Sequence, residues 1–217
     1  MSFIEPPPSP PPGWRRPEPH REPWQGTSAD TVGVPLSLVR VLARTDAIAV
    51  IVSGFVVYPA GISFNVVTVH RMTGPHPPQH PNGPRADWDA DGSRILRLGV
   101  RFADGSKVTN LDSMYGYRPR DPGERMLQQR GGGGGGRKFT TAFWCQPLPP
   151  PGPLALVCEW PLYGIPQTEE SIDAALILSA AERAKPLWED DVGLAEPADD
   201  TRPPGSSGGW TWSKQLG

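Results

Sequence analysis

The chain has 217 residues with 21 basic and 23 acidic side chains, a formal net charge of −2, which leaves room for one domain with a sizeable core and not for two once its polar ends are set aside. A near-neutral balance with scattered arginines offers no field that would gather a phosphate backbone, and no apolar run is long enough to cross a bilayer, so neither nucleic acid nor a membrane is an expected partner. Residues 1–12 carry neither a basic nor an apolar stretch, so no secretory signal is expected there; a cytoplasmic location is then expected, in which Cys145 and Cys158 stay reduced and serve as small buried hydrophobes.

Residues 1–30 are Pro-rich and polar, with Trp14 and Trp24 after two proline runs, and read as a disordered, extended arm. Residues 31–188 read as a β-domain, and 189–217 as a disordered acidic and Gly/Ser-rich tail. The first strand of the domain covers 34–42. Ile48–Tyr58 and Ile62–Met72 flank Pro59-Ala60 and form a hairpin whose core face sets Phe55 opposite Phe64, Val57 opposite Ile62 and Ser53 opposite Val66. Ile48, Val50, Val52 and Val56 fall on the other, half-apolar face. Five prolines between Pro75 and Pro84 make 73–93 a surface loop. Leu96, Leu98, Val100 and Phe102 then alternate with smaller or charged neighbours as a strand with one wet face, which Asp104-Gly105 turns into a return strand from Lys107. The polar stretch 112–136, ending in Gly131–Gly136, reads as a second loop, either a flexible link or a place where backbone approaches backbone.

Arg137–Trp160 reads as a buried hairpin around the Pro-rich turn 147–153. Phe139, Thr141, Phe143 and Cys145 share one parity, as do Leu154, Leu156, Cys158 and Trp160; a symmetric turn puts Cys145 opposite Cys158 and Phe143 opposite Trp160. After a brief strand at 170–172, Asp173 caps a short helix over 174–185 with an apolar stripe of Ile172, Ala175, Leu176, Ala180 and Ala184, stopped by Pro186. Short strands paired with their sequence neighbours predict an all-β, mainly antiparallel fold. An immunoglobulin-like β-sandwich with one C-terminal helix is the first choice and a flattened β-barrel the alternative.

Few residue patterns carry chemistry. Asp87, Asp89 and Asp91, followed by Gly92 and the Ser93 carbonyl, reproduce the opening of a calcium loop, in which alternate oxygens converge on a hard cation. The pattern fails at its twelfth position, Leu98, where a bidentate Glu is needed. His70, His76 and His80 lack the helix that would orient them around zinc. Gly131–Gly136 followed by Arg137-Lys138 is not a phosphate-binding loop, because Phe139 and a strand occupy the place where Ser or Thr and a helix are required. Trp144 lies on the parity opposite Phe143 and, with Tyr163, is the candidate partner-binding platform, for a peptide or a sugar, provided the terminal helix or the N-terminal arm does not cover it.

The segments Val100-Arg101-Phe102-Ala103-Asp104-Gly105, Gly131–Gly136, Cys158-Glu159-Trp160-Pro161 and Trp188-Glu189 together resemble a set of β-rich bacterial proteins from GC-rich genomes. The resemblance implies one inherited domain from about Val34 to Trp188 and carries no activity with it. The expected function is a non-enzymatic module that binds a protein partner through loops or tails, or has a structural or regulatory role, without a cofactor. The alternative is a Ca²⁺-assisted binding or hydrolytic protein centred on Asp87, Asp89 and Asp91.

Overall fold

The computed structural model describes residues 26–27, 30–71, 93–114, 121 and 123–188. Most of the arm placed at 1–30, nearly all of the loop at 73–93 and the tail at 189–217 lie outside them. In chain order the elements are strands β1 (Thr31–Val32), β2 (Val34–Leu36), β3 (Arg40–Arg44), β4 (Ile48–Tyr58), β5 (Gly61–His70), β6 (Arg97–Arg101) and β7 (Lys107–Thr109); helix α1 (Asn110–Met114); strands β8 (Met126–Gly135), β9 (Lys138–Gln146) and β10 (Pro153–Trp160); a single 3-10 turn, Pro161–Tyr163; strand β11 (Ile165–Asp173); helix α2 (Ala174–Glu182); and strand β12 (Lys185–Pro186).

The strands form two main antiparallel sheets. The first runs β2-β4-β5-β9-β8, with β3 also pairing β4 beyond β2, and the second runs β11-β10-β6-β7; β1 and β12 make a separate two-stranded pair. Four hairpins, β4-β5, β6-β7, β8-β9 and β10-β11, each stay within one sheet, and successive hairpins alternate between the sheets. Within the sheets they meet through β5 with β9 and β6 with β10. Neither sheet closes on itself, so the barrel alternative does not form. Buried side chains of both sheets, including Val50, Phe64 and Phe143 from the first and Leu98, Leu156 and Trp160 from the second, belong to one apolar cluster. Burying each such side chain contributes roughly 1.5–3 kcal/mol, which makes this shared interior the main stabilising feature.

The Pro59-Ala60 turn forms, and Val57 faces Ile62 as expected, but Gly54 breaks the expected register of the hairpin. The pairing slips between Ser53 and Val56, and Gly54 has φ +64°, a conformation that glycine adopts without a Cβ penalty. The extra residue switches parity along β4. Phe55 and Val57 are buried after the bulge, and Ile48, Val50 and Val52 are buried before it, so the three residues assigned to the outer face belong to the core. Ser53 accordingly faces Asn65 and not Val66. Phe55 still stacks on Phe64, centroids 5.4 Å apart.

The alternation in Arg137–Trp160 is real, but its two arms are not partners. β9 pairs β5 and β8, and β10 pairs β6 and β11; the Pro-rich segment between them, with a cis bond at Gln146-Pro147, carries the chain from one sheet to the other. Phe143 therefore faces Phe64, with centroids 5.9 Å apart, and Cys145 faces Ile62 and Leu127. Cys145 and Cys158 are free, buried, and in different sheets. Burial pushes both thiols up to about 12, which leaves them as unreactive thiols at neutral pH.

The glycine run is not a loop. β8 continues through Gly131–Gly135 against Ala142–Lys138 of β9, and the reason is Phe139. A Cβ on Gly132 would lie 3.2 Å from the Phe139 ring. One on Gly134 would meet the Lys138 carbonyl oxygen and lie 2.7 Å from Phe139 Cα. The 34–42 strand is likewise two strands, β2 and β3, separated by a tight turn in which Leu38 N–H donates to Leu36 O at 2.8 Å. At the C-terminal end, Asp173 caps α2 by accepting from Ala175 N–H at 2.9 Å, but the preceding strand spans Ile165–Asp173. The buried stripe is Ala174, Ile177 and Ala180, which leaves Ala175 and Leu176 outside.

Candidate functional site

The last strand of the first sheet, β8, has α1 and β7 beside it, and its glycine end is its barest part. β8 pairs β9 on one side only among the described residues. Its first residues, Met126 and Leu127, are buried, and Gly131–Gly135 are exposed. Cβ positions on Gly131, Gly133 and Gly135 point into open space, with nothing within 4 Å. An edge strand presents a row of backbone N–H and C=O groups that can take up another strand, and proteins normally block it with charge, proline or short length. Over Gly131–Gly135 β8 has no side chains of its own to block it.

The glycine edge ends at the turn that opens a cleft. Arg137, in that turn, accepts from His70 N–H through its carbonyl at 2.8 Å, and Arg71 N–H donates to Ala47 O at 2.8 Å. Three segments, the β3-β4 turn, the end of β5 and the β8-β9 turn, are thus held together by backbone bonds. Between them lies an open cleft of about 360 Å³ lined by Arg44, Thr45, Asp46, His70, Arg71 and Arg137, with Ile48, Ala49 and Val69 as its apolar part. Arg71 approaches Asp46 at 3.9 Å, and both side chains are largely in solvent. The His70 imidazole packs edge-on to the Tyr163 ring, centroids 5.5 Å apart, and Tyr163 in turn packs on Trp160 at 4.5 Å. Partial burial holds the His70 pKa below its ordinary value of 6.5, and burial raises that of Tyr163.

The structure separates the two aromatic candidates. Tyr163 is half-buried and belongs to the wall beside the cleft. Trp144 is not a platform. It is fully buried, its indole N–H donates to Gln146 Oε1 at 2.9 Å, and Tyr58 packs edge-on at 5.9 Å. It does lie on the outer face of the sheet, as its parity predicts, over Gly61, where a Cβ would come within 2.8 Å of the indole. On that same face Gly26 lies against the Arg130 guanidinium of β8, and Gly33 against the Tyr58 ring of β4.

Asp87, Asp89 and Asp91 lie outside the described residues, as do His76 and His80. The Ser93 carbonyl, the fourth proposed calcium ligand, accepts from Leu162 N–H at 3.1 Å. Among the described residues no group of three or more His, Cys, Asp or Glu is placed to hold a metal ion, and no helix is long and apolar enough to cross a membrane. The outer face of the second sheet is a wet ion-pair surface, with Arg97 on Glu159 at 3.0 Å and Arg101 paired to Glu169.

No protein-family model matches the chain, and no curated protein and no solved structure matches it. The cleft was missed in the sequence because its arginines lie at three distant strand ends and turns and share no spacing. The edge was missed because a glycine run has no strand propensity to read.

Proposed function

We propose that this chain is a non-enzymatic, immunoglobulin-like β-sandwich module that binds a protein partner by strand addition along β8. The bare glycine edge carries the reading. Backbone hydrogen bonds from an added strand supply affinity without needing side-chain complementarity, and Gly131, Gly133 and Gly135 leave the outer side of that edge open to whatever side chains the partner brings.

The immunoglobulin-like assignment is supported by strand order. Lettering β4, β5, β6, β7, β8, β9, β10 and β11 as A, B, C, C′, D, E, F and G gives A-B-E-D, extended beyond A by β2 and β3, and C′-C-F-G, the hairpin-alternating order of that architecture. The cysteines depart from it, sitting on the E and F equivalents and unbonded, where antibody domains bridge B to F. Free thiols suit a reducing compartment, and a cytoplasmic location is part of the proposal.

The test is affinity capture from the source lysate with the full chain and with a Gly131→Lys/Gly133→Lys variant, followed by amide exchange on the recovered complex. A partner held by the original chain and lost by the variant, with slowed exchange at 131–135, is the expected result. Identical recovery with both proteins, or slowed exchange elsewhere only, overturns it. If sedimentation shows the purified chain to be a dimer that the variant dissociates, the partner is a second copy.

A further inference from the structure

We propose that the cleft between the β3-β4 turn, the end of β5 and the β8-β9 turn is a binding site for a phosphate monoester group. Three guanidiniums, Arg44, Arg71 and Arg137, line it together with one carboxylate, Asp46. Among the described residues neither Arg44 nor Arg137 has a side-chain hydrogen bond or ion pair, and Arg71 has only its 3.9 Å approach to exposed Asp46. Three guanidiniums and a single carboxylate on one cleft leave an excess of positive charge, so an added anion gains Coulomb attraction there.

The backbone fixes where these side chains start. His70 N–H to Arg137 O, Arg71 N–H to Ala47 O and Thr45 N–H to Ile48 O, each 2.8 Å, tie the three segments into one rim. Only the side chains have to close on a ligand. Charge decides between oxyanions. The rim has a surplus of two positive charges, which a carboxylate would half neutralise and a phosphate monoester, carrying about −1.5 to −2 at neutral pH with three acceptor oxygens, would meet in full. Guanidinium forks match that geometry in a way a lysine cluster would not. Volume decides between the free ion and the ester. The cleft of about 360 Å³ exceeds what the phosphate alone fills, and Ile48, Ala49 and Val69 offer apolar contact for the carbon part. The device differs from a phosphate-binding loop, since side-chain forks, not a nest of backbone amides, face the anion. The site is independent of the β8 edge, and either stands without the other.

The experiment titrates the full chain with phenyl phosphate, inorganic phosphate, benzoate, and a short phosphoserine peptide with its unphosphorylated control. Binding is followed by calorimetry and by amide shifts. Saturable binding of phenyl phosphate is expected, with shifts centred on 44–48, 69–71 and 137 and with benzoate much weaker. Arg44→Gln, Arg71→Gln and Arg137→Gln should each weaken it roughly tenfold or more, the scale of one charge-assisted hydrogen bond. Lysine at the same positions should give intermediate losses, keeping charge and losing the fork. All three side chains are exposed, Arg44 at the end of β3, Arg71 just past β5 and Arg137 in the β8-β9 turn, and unchanged circular dichroism shows that each variant folds. A phosphoserine peptide binding more tightly than phenyl phosphate identifies a phosphorylated protein as the source, and the reverse order a small phosphate ester. Absence of saturable binding by every phosphate probe, benzoate binding as tightly as phenyl phosphate, or unchanged affinity in the triple glutamine variant overturns the proposal.

Discussion

β8 and β11 are the long edge strands of the two sheets, ten and nine residues, and they are built on opposite plans. β11 contains Pro166, which has no N–H to offer, and Glu169 and Glu170; Glu169 pairs with Arg101 on the neighbouring strand but one. Its sequence then passes directly into α2. β8 begins with the buried residues Met126 and Leu127 and ends in five glycines in a row. Both strands hold their places in a sheet, so the fold itself does not need the glycines to be bare on both sides. The difference lies in what each edge shows to a third strand: β11, beside β3, carries proline and carboxylates that repel or cannot pair with one, and β8, past the bulge between Gln129 and Gly131, presents five glycines of bare backbone.

Within β8 itself, adjacent glycines face opposite surroundings. Gly134→Val drives a Cβ against the Lys138 carbonyl and the Phe139 backbone, neither of which can move as a side-chain tip can. A loss of about 1–3 kcal/mol is expected, the cost of overpacking. Gly133→Val meets nothing within 4 Å. It should gain about 0.5–1 kcal/mol by removing glycine's unfolded-state freedom and adding a β-branched side chain. Urea midpoints at constant m would read both. Equal shifts of the same sign would mean that the β8-β9 register is displaced by one and that Phe139 does not lie over Gly132 and Gly134.

That alternation marks what a sequence reader can and cannot see. Parity was legible wherever side chains reported it: Leu98, Val100 and Phe102 face the core as their spacing predicts. The turn at Asp104-Gly105 also forms, with Gly105 at φ +82° and Asp104 accepting from Ser106 N–H at 3.0 Å. The Asp173 cap was legible because capping is local chemistry. Partnership was not. Arg137–Trp160 has the right parities in both arms and the wrong neighbours, since a Pro-rich connection of this length can close a hairpin or cross between sheets, and only the rest of the core decides. Gly54 hides a parity switch that no pattern of apolar residues signals in advance. Of the candidate site, His70, weighed in the sequence as a zinc ligand, and Tyr163, which packs on it, were singled out beforehand, whereas Arg44, Arg71 and Arg137 become neighbours only through tertiary pairing.

The end of β8 meets the cleft beside His70, which gives a pH test of how tightly that corner is packed. Burial lowers the His70 pKa in the folded chain, so the folded state binds fewer protons than the unfolded one. The stabilising contribution is then complete above the ordinary value of 6.5 and is lost as pH falls from there through the folded value. Resonances of the His70 ring should titrate with a midpoint below 6.5, and the urea midpoint should decline modestly over the same window. A midpoint above 6.5 would show that the Tyr163 contact does not exclude water from the imidazole.

The smallest expected effect on stability belongs to the guarded edge. Glu169 and Arg101 are both substantially exposed, and an exposed pair contributes about 0.2–1 kcal/mol, so Glu169→Gln should barely move the urea midpoint. Its consequence should appear in association. With Glu170→Gln added, β11 keeps its length and pairing but loses the charges of Glu169 and Glu170, leaving Asp173 at its end, and Pro166 alone interrupts its backbone row. Concentration-dependent self-association by sedimentation is then expected in the double variant, with near-normal stability, because charge and not packing separates this edge from β8. If the double variant stays as dispersed as the parent chain, Pro166 suffices as the guard, and the contrast between the edges reduces to one missing N–H against five bare glycines.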